Sequence, residues 1–297
     1  MSMAVKKENA ALPFNPYGVL IIGIIGVSTG SIFVRLADAP ALVTAAYRMG
    51  LAALMLIPLA VWKAGDELRS LSGHDIKLAM LSGFFLALHF ATWISSLDYT
   101  AIANSVVLVN TIPLWVGLFT PLISKDRMGG STITSIIASV IGAVIIGFGD
   151  FATGGKALWG DLLAVFGAIC AAVYLLCGRN LRRKLSLLSY IAICYGSAAV
   201  ILWLVVLFLN LPITGYSTQT VAAFWAMAFI SQLIGHSSYN WSLKWFSTSL
   251  VAVSLLGEPI GSTLLAYIIF DEGLTWMKFI GGLFILSAIY IAASDEK

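Results

Sequence analysis

Two ionisable side chains, Arg48 and Glu258, lie inside long apolar stretches of this chain, and Glu258 directly precedes Pro259. A charged Arg, Lys or Asp at the centre of a membrane helix costs about 2.5–3.5 kcal/mol. Each such group therefore needs a partner or a wet cavity. Arg48 fits either a fixed structural ion pair or the binding of an anion. Glu258 fits either local backbone capping beside Pro259 or the carriage of a proton.

Polar and aromatic side chains form two further stripes at helical spacing. His89 and Trp93 are four residues apart, so they share one face of a helix. The second stripe contains Gln232, His236, Tyr239 and Asn240. These side chains either contact a bound molecule or hydrogen-bond to neighbouring helices, and both interpretations remain open.

The stretch 96–127 reappears 146 residues later as 242–273 without a gap, so that Pro113 coincides with Pro259. Two copies of an apolar helix with a mid-span proline predict an internally duplicated membrane transporter. We expect Pro113, Pro259 and Gly30 to be kink or gating points. The same shift relates the two polar stripes, so they should converge where the repeats meet.

The composition defines the fold class. Of 297 residues, 60% are hydrophobic and 10% are charged, against about 25% charged in soluble domains. Apolar runs of about 20 residues recur along the chain. We predict an all-α polytopic membrane protein with ten transmembrane helices. They are expected at about 17–36, 40–62, 77–97, 100–124, 132–149, 158–178, 188–209, 220–243, 247–269 and 275–293.

The positive charges predict the orientation. With both termini in the cytoplasm, most Lys and Arg residues fall on the cytoplasmic side, as the positive-inside rule requires. These are Lys6, Lys7, Lys63, Arg69, Lys77, Lys125, Arg127, Arg179, Arg182, Arg183, Lys184, Lys244 and Lys297. Five helices per repeat is an odd number, so the second copy must be inverted in the membrane. The charges change accordingly, because Asp98 corresponds to Lys244 and Lys125 to Asp271.

The predicted organisation has four parts. A cytoplasmic tail (1–16) precedes the first five-helix repeat (17–149), and a connector (150–157) leads to the inverted second repeat (158–293). The apolar start is longer than the core of a signal peptide, so we interpret it as an uncleaved helix.

Enzyme signatures are missing from the sequence. There is no HExxH, no GxSxG and no nucleotide-binding loop. Gly147-Phe148-Gly149-Asp150 resembles the GxGD motif of intramembrane proteases, but no second aspartate lies deep in a predicted span. Cys170, Cys177 and Cys194 lack a CxxC spacing, which favours packing over disulfides or metal. We expect no enzymatic activity, no cofactor and no metal.

The chain resembles the drug/metabolite transporter superfamily in its ten-helix EamA-type branch, from Gly18 to Ser294. The matching motifs are Gly30-Ser31-Ile32-Phe33-Val34-Arg35 with Pro40 and Arg48, Thr111-Ile112-Pro113, Gly257-Glu258-Pro259 and Asp271-Glu272-Gly273-Leu274-Thr275. The aromatic content of the third and eighth helices is similar to that of YddG-like amino acid exporters. Many relatives carry a tryptophan before the glycine where this chain has Ser28-Thr29-Gly30-Ser31, so the subfamily stays open.

This resemblance implies a multi-pass secondary exporter of the bacterial inner membrane that moves small metabolites, above all neutral amino acids, by alternating access through a central cavity. The alternatives are a lipophilic-cation exporter and an uncoupled facilitator. The expected partners are a small-molecule substrate, the lipid bilayer and a proton as coupling ion, with no nucleic acid, and the chain is expected to act as a monomer. The candidate substrate-binding residues are Tyr47, Arg48, His89, Trp93, Asn110, Tyr174, Gln232, His236, Tyr239, Asn240 and Glu258.

Overall fold

The computed structural model describes residues 14–100, 102–123, 129–147, 155–271 and 275–294. Every regular element in these ranges is helical. The first half contains α1 (Pro16–Ser28), α2 (Gly30–Leu36), α3 (Ala41–Ser70), α4 (Gly73–Ser96), α5 (Ile102–Val109), α6 (Ile112–Ile123) and α7 (Gly130–Gly147). The second half contains α8 (Gly155–Arg182), α9 (Leu187–Phe208), α10 (Thr218–Ala226), a π-helix (Met227–His236), α11 (Ser237–Ser242), α12 (Thr248–Leu255), α13 (Gly257–Phe270) and α14 (Trp276–Ser294).

Six stretches of the described residues are long and apolar enough to cross a membrane. They are Pro16–Leu36, Ala41–Ser70, Gly73–Ser96, Gly155–Arg182, Leu187–Phe208 and Thr248–Phe270, and shorter apolar helices occur as well. The protein is therefore a multi-pass membrane protein.

Serine residues start several of these helices. The side chains of Ser72, Ser186, Ser217 and Ser247 each accept a hydrogen bond from the backbone N–H three residues later. Such caps satisfy an N–H group that has no partner within the helix. A serine before an apolar run therefore marks the start of each of these helices.

Several predicted helices are interrupted in the structure. The fourth is divided between α5 and α6 at Asn110 and Thr111, and the ninth is divided between α12 and α13 at Leu256. Pro113 and Pro259 lie in the first turn of the second piece, where a missing N–H costs no internal hydrogen bond. The first predicted helix is likewise divided at Thr29.

The duplication extends beyond the matched helix to the rest of the chain. Helix α12 begins at Thr248, which is 146 residues after the start of α5 at Ile102. The same distance separates the starts of α3 and α9 at Ala41 and Leu187. It also separates the starts of α7 and α14. The two halves of the described chain therefore repeat one arrangement of helices.

At one end of the bundle, the last turns of α3 and the first turn of α4 contact the start of α9 and the residues before it. The Glu67 carboxylate accepts hydrogen bonds from the Ser186 backbone N–H and the Ser189 hydroxyl, both 2.7 Å long. Lys184 lies 3.4 Å from Asp75. The first repeat thus contacts the second at this end through the helix termini on both sides of its α3–α4 connection.

At the opposite end of α3, the corresponding connection of the second repeat makes the contacts. The Tyr47 hydroxyl donates to the Ile213 carbonyl at 2.5 Å, and the Asp38 N–H donates to the Thr220 hydroxyl at 3.2 Å. The α9–α10 connection is the counterpart of α3–α4, yet it lies at the other end of the bundle. The two repeats therefore run in opposite directions.

Some predictions fall outside the described residues. These include the tail residues Lys6 and Lys7, the charges Lys125 and Arg127, the GxGD residue Asp150 and the terminal Lys297. Helix α8 begins at Gly155, inside the predicted connector, whose remaining residues 150–154 are not described.

Candidate functional site

A small internal cavity lies where the interrupted helices of the two repeats meet. It leaves room of about 30 Å³, which corresponds to no more than a few water molecules. Its lining consists of Val27, Arg48, His89, Phe90, Trp93, Val109, Asn110, Ile112, Ala171, Tyr174, Leu175, His236, Tyr239, Leu255 and Glu258. Eight of the eleven predicted binding residues are in this set, and Tyr47, Gln232 and Asn240 are not.

The lining is built from residues that the repeat relates in pairs. Four pairs of lining residues stand 146 positions apart: Phe90 and His236, Trp93 and Tyr239, Val109 and Leu255, and Ile112 and Glu258. Because equivalent positions from both repeats face the same space, the cavity lies on the axis that relates them. Inverted-repeat transporters place their substrate sites at this interface.

Arg48 brings a buried cation to the cavity. Its side chain is 1% exposed, and its Nε donates to Oε1 of Gln232 at 2.9 Å. The guanidinium carbon lies 4.1 Å from the centre of the Phe90 ring, a cation–π contact. Among the described residues, no carboxylate forms a direct ion pair with Arg48. The arginine is held in place by neutral groups, so its charge remains available to an anion.

Glu258 brings a carboxylate to the same cavity from the first turn of α13. A helix N-terminus favours negative charge because its backbone N–H groups carry partial positive charge. The charges of Glu258 and Arg48 attract each other, but within the described residues the Glu258 carboxylate accepts no hydrogen bond. Its backbone carbonyl accepts from Ser262 at 2.7 Å. The carboxylate is thus oriented by its helix and is not neutralised by direct contact.

Two further donors lie at the cavity. The Trp93 indole N–H and the Tyr239 hydroxyl are buried, and neither has a hydrogen-bond partner in the part of the chain that the structure describes. They occupy equivalent positions of the two repeats. Buried polar groups are normally hydrogen-bonded, so these two donors favour the binding of a molecule that carries a hydrogen-bond acceptor.

Two histidines line the cavity, and a hydrogen bond determines which nitrogen of His89 carries the proton. His89 Nδ1 lies 3.0 Å from the Gly167 carbonyl, which can only accept, so Nδ1 carries the proton. In the neutral ring, Nε2 is then an acceptor. The His89 and Trp93 rings lie nearly parallel, 6.1 Å apart. His236 lies with its edge against Phe90 at 5.3 Å.

Gln232 and Asn240 hydrogen-bond to neighbouring helices, as one of the two open interpretations expected. Gln232 positions Arg48, and the Asn240 amide donates to the hydroxyls of Tyr174 and Tyr195 at 2.6 and 3.0 Å. This network lies behind the cavity wall and reaches the cavity through Tyr174 and Arg48. Both residues therefore act on the lining through the side chains that they hold.

Tyr47 lies in a separate aromatic cluster. Its ring stacks on Phe224 at 4.4 Å and meets the edge of Trp203 at 5.0 Å. Although Tyr47 and Arg48 are adjacent in sequence, consecutive side chains of a helix point about 100° apart. Arg48 therefore faces the cavity while Tyr47 faces α9 and α10.

The predicted kink residues border the cavity. Pro113 and Pro259 follow lining residues Ile112 and Glu258. A Cβ atom at Gly30 would lie 3.5 Å from Nη1 of Arg48. The three predicted kink residues therefore lie next to the cavity and close to the points where the helices are interrupted.

The apolar part of the lining cannot be identified from the polarity of its residues. Phe90 and Ile112 contact the cavity, although nothing in their own chemistry indicates a site. The internal repeat could have identified both residues, since a shift of 146 positions relates Phe90 to His236 and Ile112 to Glu258.

Known proteins share both the sequence pattern and the fold. The EamA-like transporter family model matches residues 16–148 and again 158–294. A protein named as an uncharacterized transporter from Archaeoglobus fulgidus is 24% identical over 84% of this chain and 86% of its own length. A Clostridium kluyveri protein with the same description is 26% identical over 82% and 81%. The uncharacterized transporter YyaM of Bacillus subtilis is 26% identical over 75% of each chain.

The architecture also matches a solved crystal structure. It aligns with a TM-score of 0.78 over 94% of this chain and 97% of the other, at 16% identity, which shows a shared fold. Two consecutive matches to one family model agree with the two helical repeats. The predicted relationship is confirmed: the chain belongs to the EamA-like transporter family.

Proposed function

We propose that this transporter exports neutral amino acids, aromatic ones included, across the bacterial inner membrane. The observation that carries the proposal is the pairing of Arg48 and Glu258 around one cavity without a direct ion pair between them among the described residues. A zwitterion supplies one partner for each. Its carboxylate meets Arg48, and its ammonium group meets Glu258.

The uncharged groups of the lining fit the same ligand. The unpartnered donors of Trp93 and Tyr239 supply hydrogen bonds to carboxylate oxygens. Rings of Trp93, Phe90 and Tyr174 provide apolar surface for a side chain. The site thus combines both charge complements with an aromatic wall.

Transport in this proposal requires a change of conformation. A cavity of about 30 Å³ is smaller than an amino acid, so the helices must separate to admit one. Because the repeats are inverted, exchanging their conformations opens the opposite end. Alternating access follows, with Glu258 as the leading carboxylate for coupling to a proton.

The proposed topology has ten membrane spans. The interrupted pairs α1–α2, α5–α6 and α12–α13 each count as one span, as does the run from α10 through the π-helix to α11. The described end that carries Arg69, Lys77, Arg183 and Lys184 would face the cytoplasm, with both termini on that side. One chain encloses the cavity, which favours a monomer.

The lipophilic-cation alternative would require Arg48 to face away from the site, because a buried cation repels another. Arg48 instead lines the cavity, which supports the amino acid. An uncoupled facilitator on the same scaffold remains the second candidate, since few carboxylates lie in the spans.

The test uses purified protein in liposomes that contain unlabelled amino acid. Entry of labelled phenylalanine, threonine and a lipophilic cation is followed with and without a pH gradient. Acceleration of amino acid entry by preloading is the expected result, and dependence on the gradient would show proton coupling and make Glu258 the residue to mutate.

Two outcomes contradict the proposal. Entry of the cation alone would establish the drug-export alternative. Amino acid entry that preloading leaves unchanged would indicate a facilitator, because a pore does not exchange substrates.

A further inference from the structure

The four symmetry-related pairs of the cavity differ in chemistry between the repeats. The first repeat contributes Phe90, Trp93, Val109 and Ile112, and the second contributes His236, Tyr239, Leu255 and Glu258. At three of the four positions the second repeat carries the more polar group. At these paired positions the first repeat is therefore more apolar than the second, although the paired residues have the same place in the repeat.

The largest difference is at Ile112 and Glu258. Both residues lie in the first turn of the half-helix that follows an interruption, in α6 and α13 respectively. Both line the cavity, and Ile112 is 5% exposed. One repeat thus presents a carboxylate where the other presents a branched hydrocarbon.

Three polar side chains of the first repeat that also line the cavity each have one hydrogen bond of their own. The Asn110 amide donates to the Val106 carbonyl of its own helix at 2.8 Å. His89 uses Nδ1 for Gly167, and Arg48 uses Nε for Gln232. Within the described lining, Ile112 and Val109 therefore form an apolar surface next to groups that other contacts hold.

An α-amino acid has three non-hydrogen groups on its α-carbon. Under the proposed function, Arg48 receives the carboxylate and Glu258 receives the ammonium group. The third group, the side chain, must then face the remaining wall. That wall is the apolar surface of the first repeat.

We propose that Ile112 is a specificity-determining residue that selects amino acids with apolar side chains. This inference rests on the proposed function of the same cavity. A polar side chain placed against Ile112 loses its hydrogen bonds to water and gains none, which costs free energy. An apolar side chain of the same shape has no such cost.

Leucine and asparagine provide the matched pair of ligands, because they have similar shape and opposite polarity. Each is added unlabelled to compete with labelled phenylalanine in the preloaded liposomes. The measured quantity is the ratio of the asparagine inhibition constant to the leucine inhibition constant. For the unsubstituted protein we expect a ratio of about ten or more.

The variant Ile112→Thr places a hydroxyl group on this wall and removes one carbon atom, the same loss of volume as in Ile112→Val. We expect the ratio to fall at least about fivefold, since asparagine gains a hydrogen-bond partner. Ile94→Thr is the matched control, because Ile94 is a buried isoleucine of α4 outside the lining. Its ratio should stay that of the unsubstituted protein.

A second variant, Ile112→Val, keeps the wall apolar. It shows whether a smaller side chain at this position by itself disturbs folding or transport. It should retain the high ratio. An unchanged ratio in active Ile112→Thr liposomes, or an equal fall in Ile94→Thr, would overturn the role of Ile112 alone. Absence of any amino acid exchange by the unsubstituted protein would overturn the proposed function and this inference with it.

Discussion

In the proposed function, substrate recognition in this cavity depends on Arg48. Its hydrogen bond to Gln232 and its contact with Phe90 hold the guanidinium in position without cancelling its charge. Lysine would keep the charge but lose the forked geometry that matches a carboxylate. The side chain and its neutral partners are therefore interpreted as one anion-binding unit.

Replacing this arginine tests the carboxylate contact. Arg48→Gln should reduce amino acid exchange at least about tenfold, since a hydrogen bond to a charged group contributes about 1.5–3 kcal/mol. Arg48→Lys should give an intermediate loss. Arg69→Gln is the control, because the Arg69 side chain is 81% exposed and pairs with Asp66 at the surface. Equal exchange by Arg48→Gln and the unsubstituted protein would contradict the assignment.

Trp93 combines a ring with an unpartnered N–H, and two variants separate these contributions. Trp93→Ala should impair phenylalanine transport more than threonine transport, because only the aromatic substrate loses a stacking surface. Trp93→Phe keeps a ring and removes the donor, so it should weaken both substrates alike. The apparent KM of each substrate in liposomes is the measurement. Trp62→Ala, at a tryptophan that is 79% exposed, serves as control, and equal loss for both substrates in Trp93→Ala would exclude stacking.

At the scale of the elements, two irregularities occur in only one repeat of the described chain. The break at Thr29 and the π-helix have regular counterparts in α8 and α4, whereas the break at Leu256 corresponds to the break between α5 and α6. The Thr29 hydroxyl lies 2.9 Å from that of Ser231 in the π-helix, and the Ser262 hydroxyl donates to the Ser28 carbonyl at 3.3 Å. The three irregular elements are thus connected directly.

Close packing of α1 against the π-helix depends on two glycines. A Cβ atom at Gly26 would lie 2.8 Å from the Cα of Gly235, closer than side chains tolerate. Gly26→Ala should therefore destabilise the detergent-solubilised protein by about 1–3 kcal/mol, as overpacking does.

Gly18→Ala in the same helix is the matched control. Its Cβ would lie 3.8 Å from the nearest atom, which is ordinary contact, so its thermal unfolding midpoint should not fall. Equal midpoints for the two variants would show that the approach of α1 to the π-helix is not limiting.

At the scale of the whole molecule, alternating access requires the contacts at each end to break in turn. Glu67 and Ser186 join the repeats at the proposed cytoplasmic end. Cysteines at these positions, in a chain whose three native cysteines are replaced, can be bridged by a short thiol-reactive linker. We expect bridging to stop transport and its reductive cleavage to restore it. Full transport by the bridged protein would mean that this end does not open.

Much of this architecture is determined by the sequence itself. Hydropathy is a local property, so the apolar spans could be identified without knowledge of their packing. The duplication is a relation between residues, and the 146-residue shift that connects Pro113 to Pro259 also relates the starts of α3 and α9. Arg48 and Glu258 were identifiable because charge within an apolar stretch requires an explanation.

Only the tertiary structure decided which side chains meet. Tyr47 turns towards Phe224, while Gln232 and Asn240 hold neighbouring side chains behind the wall. Ile112 and Phe90 line the cavity in their place. The physical reason is that the rotation of each helix about its axis is set by packing against other helices. A helix that is apolar on every side carries no amphipathic pattern from which that rotation can be inferred.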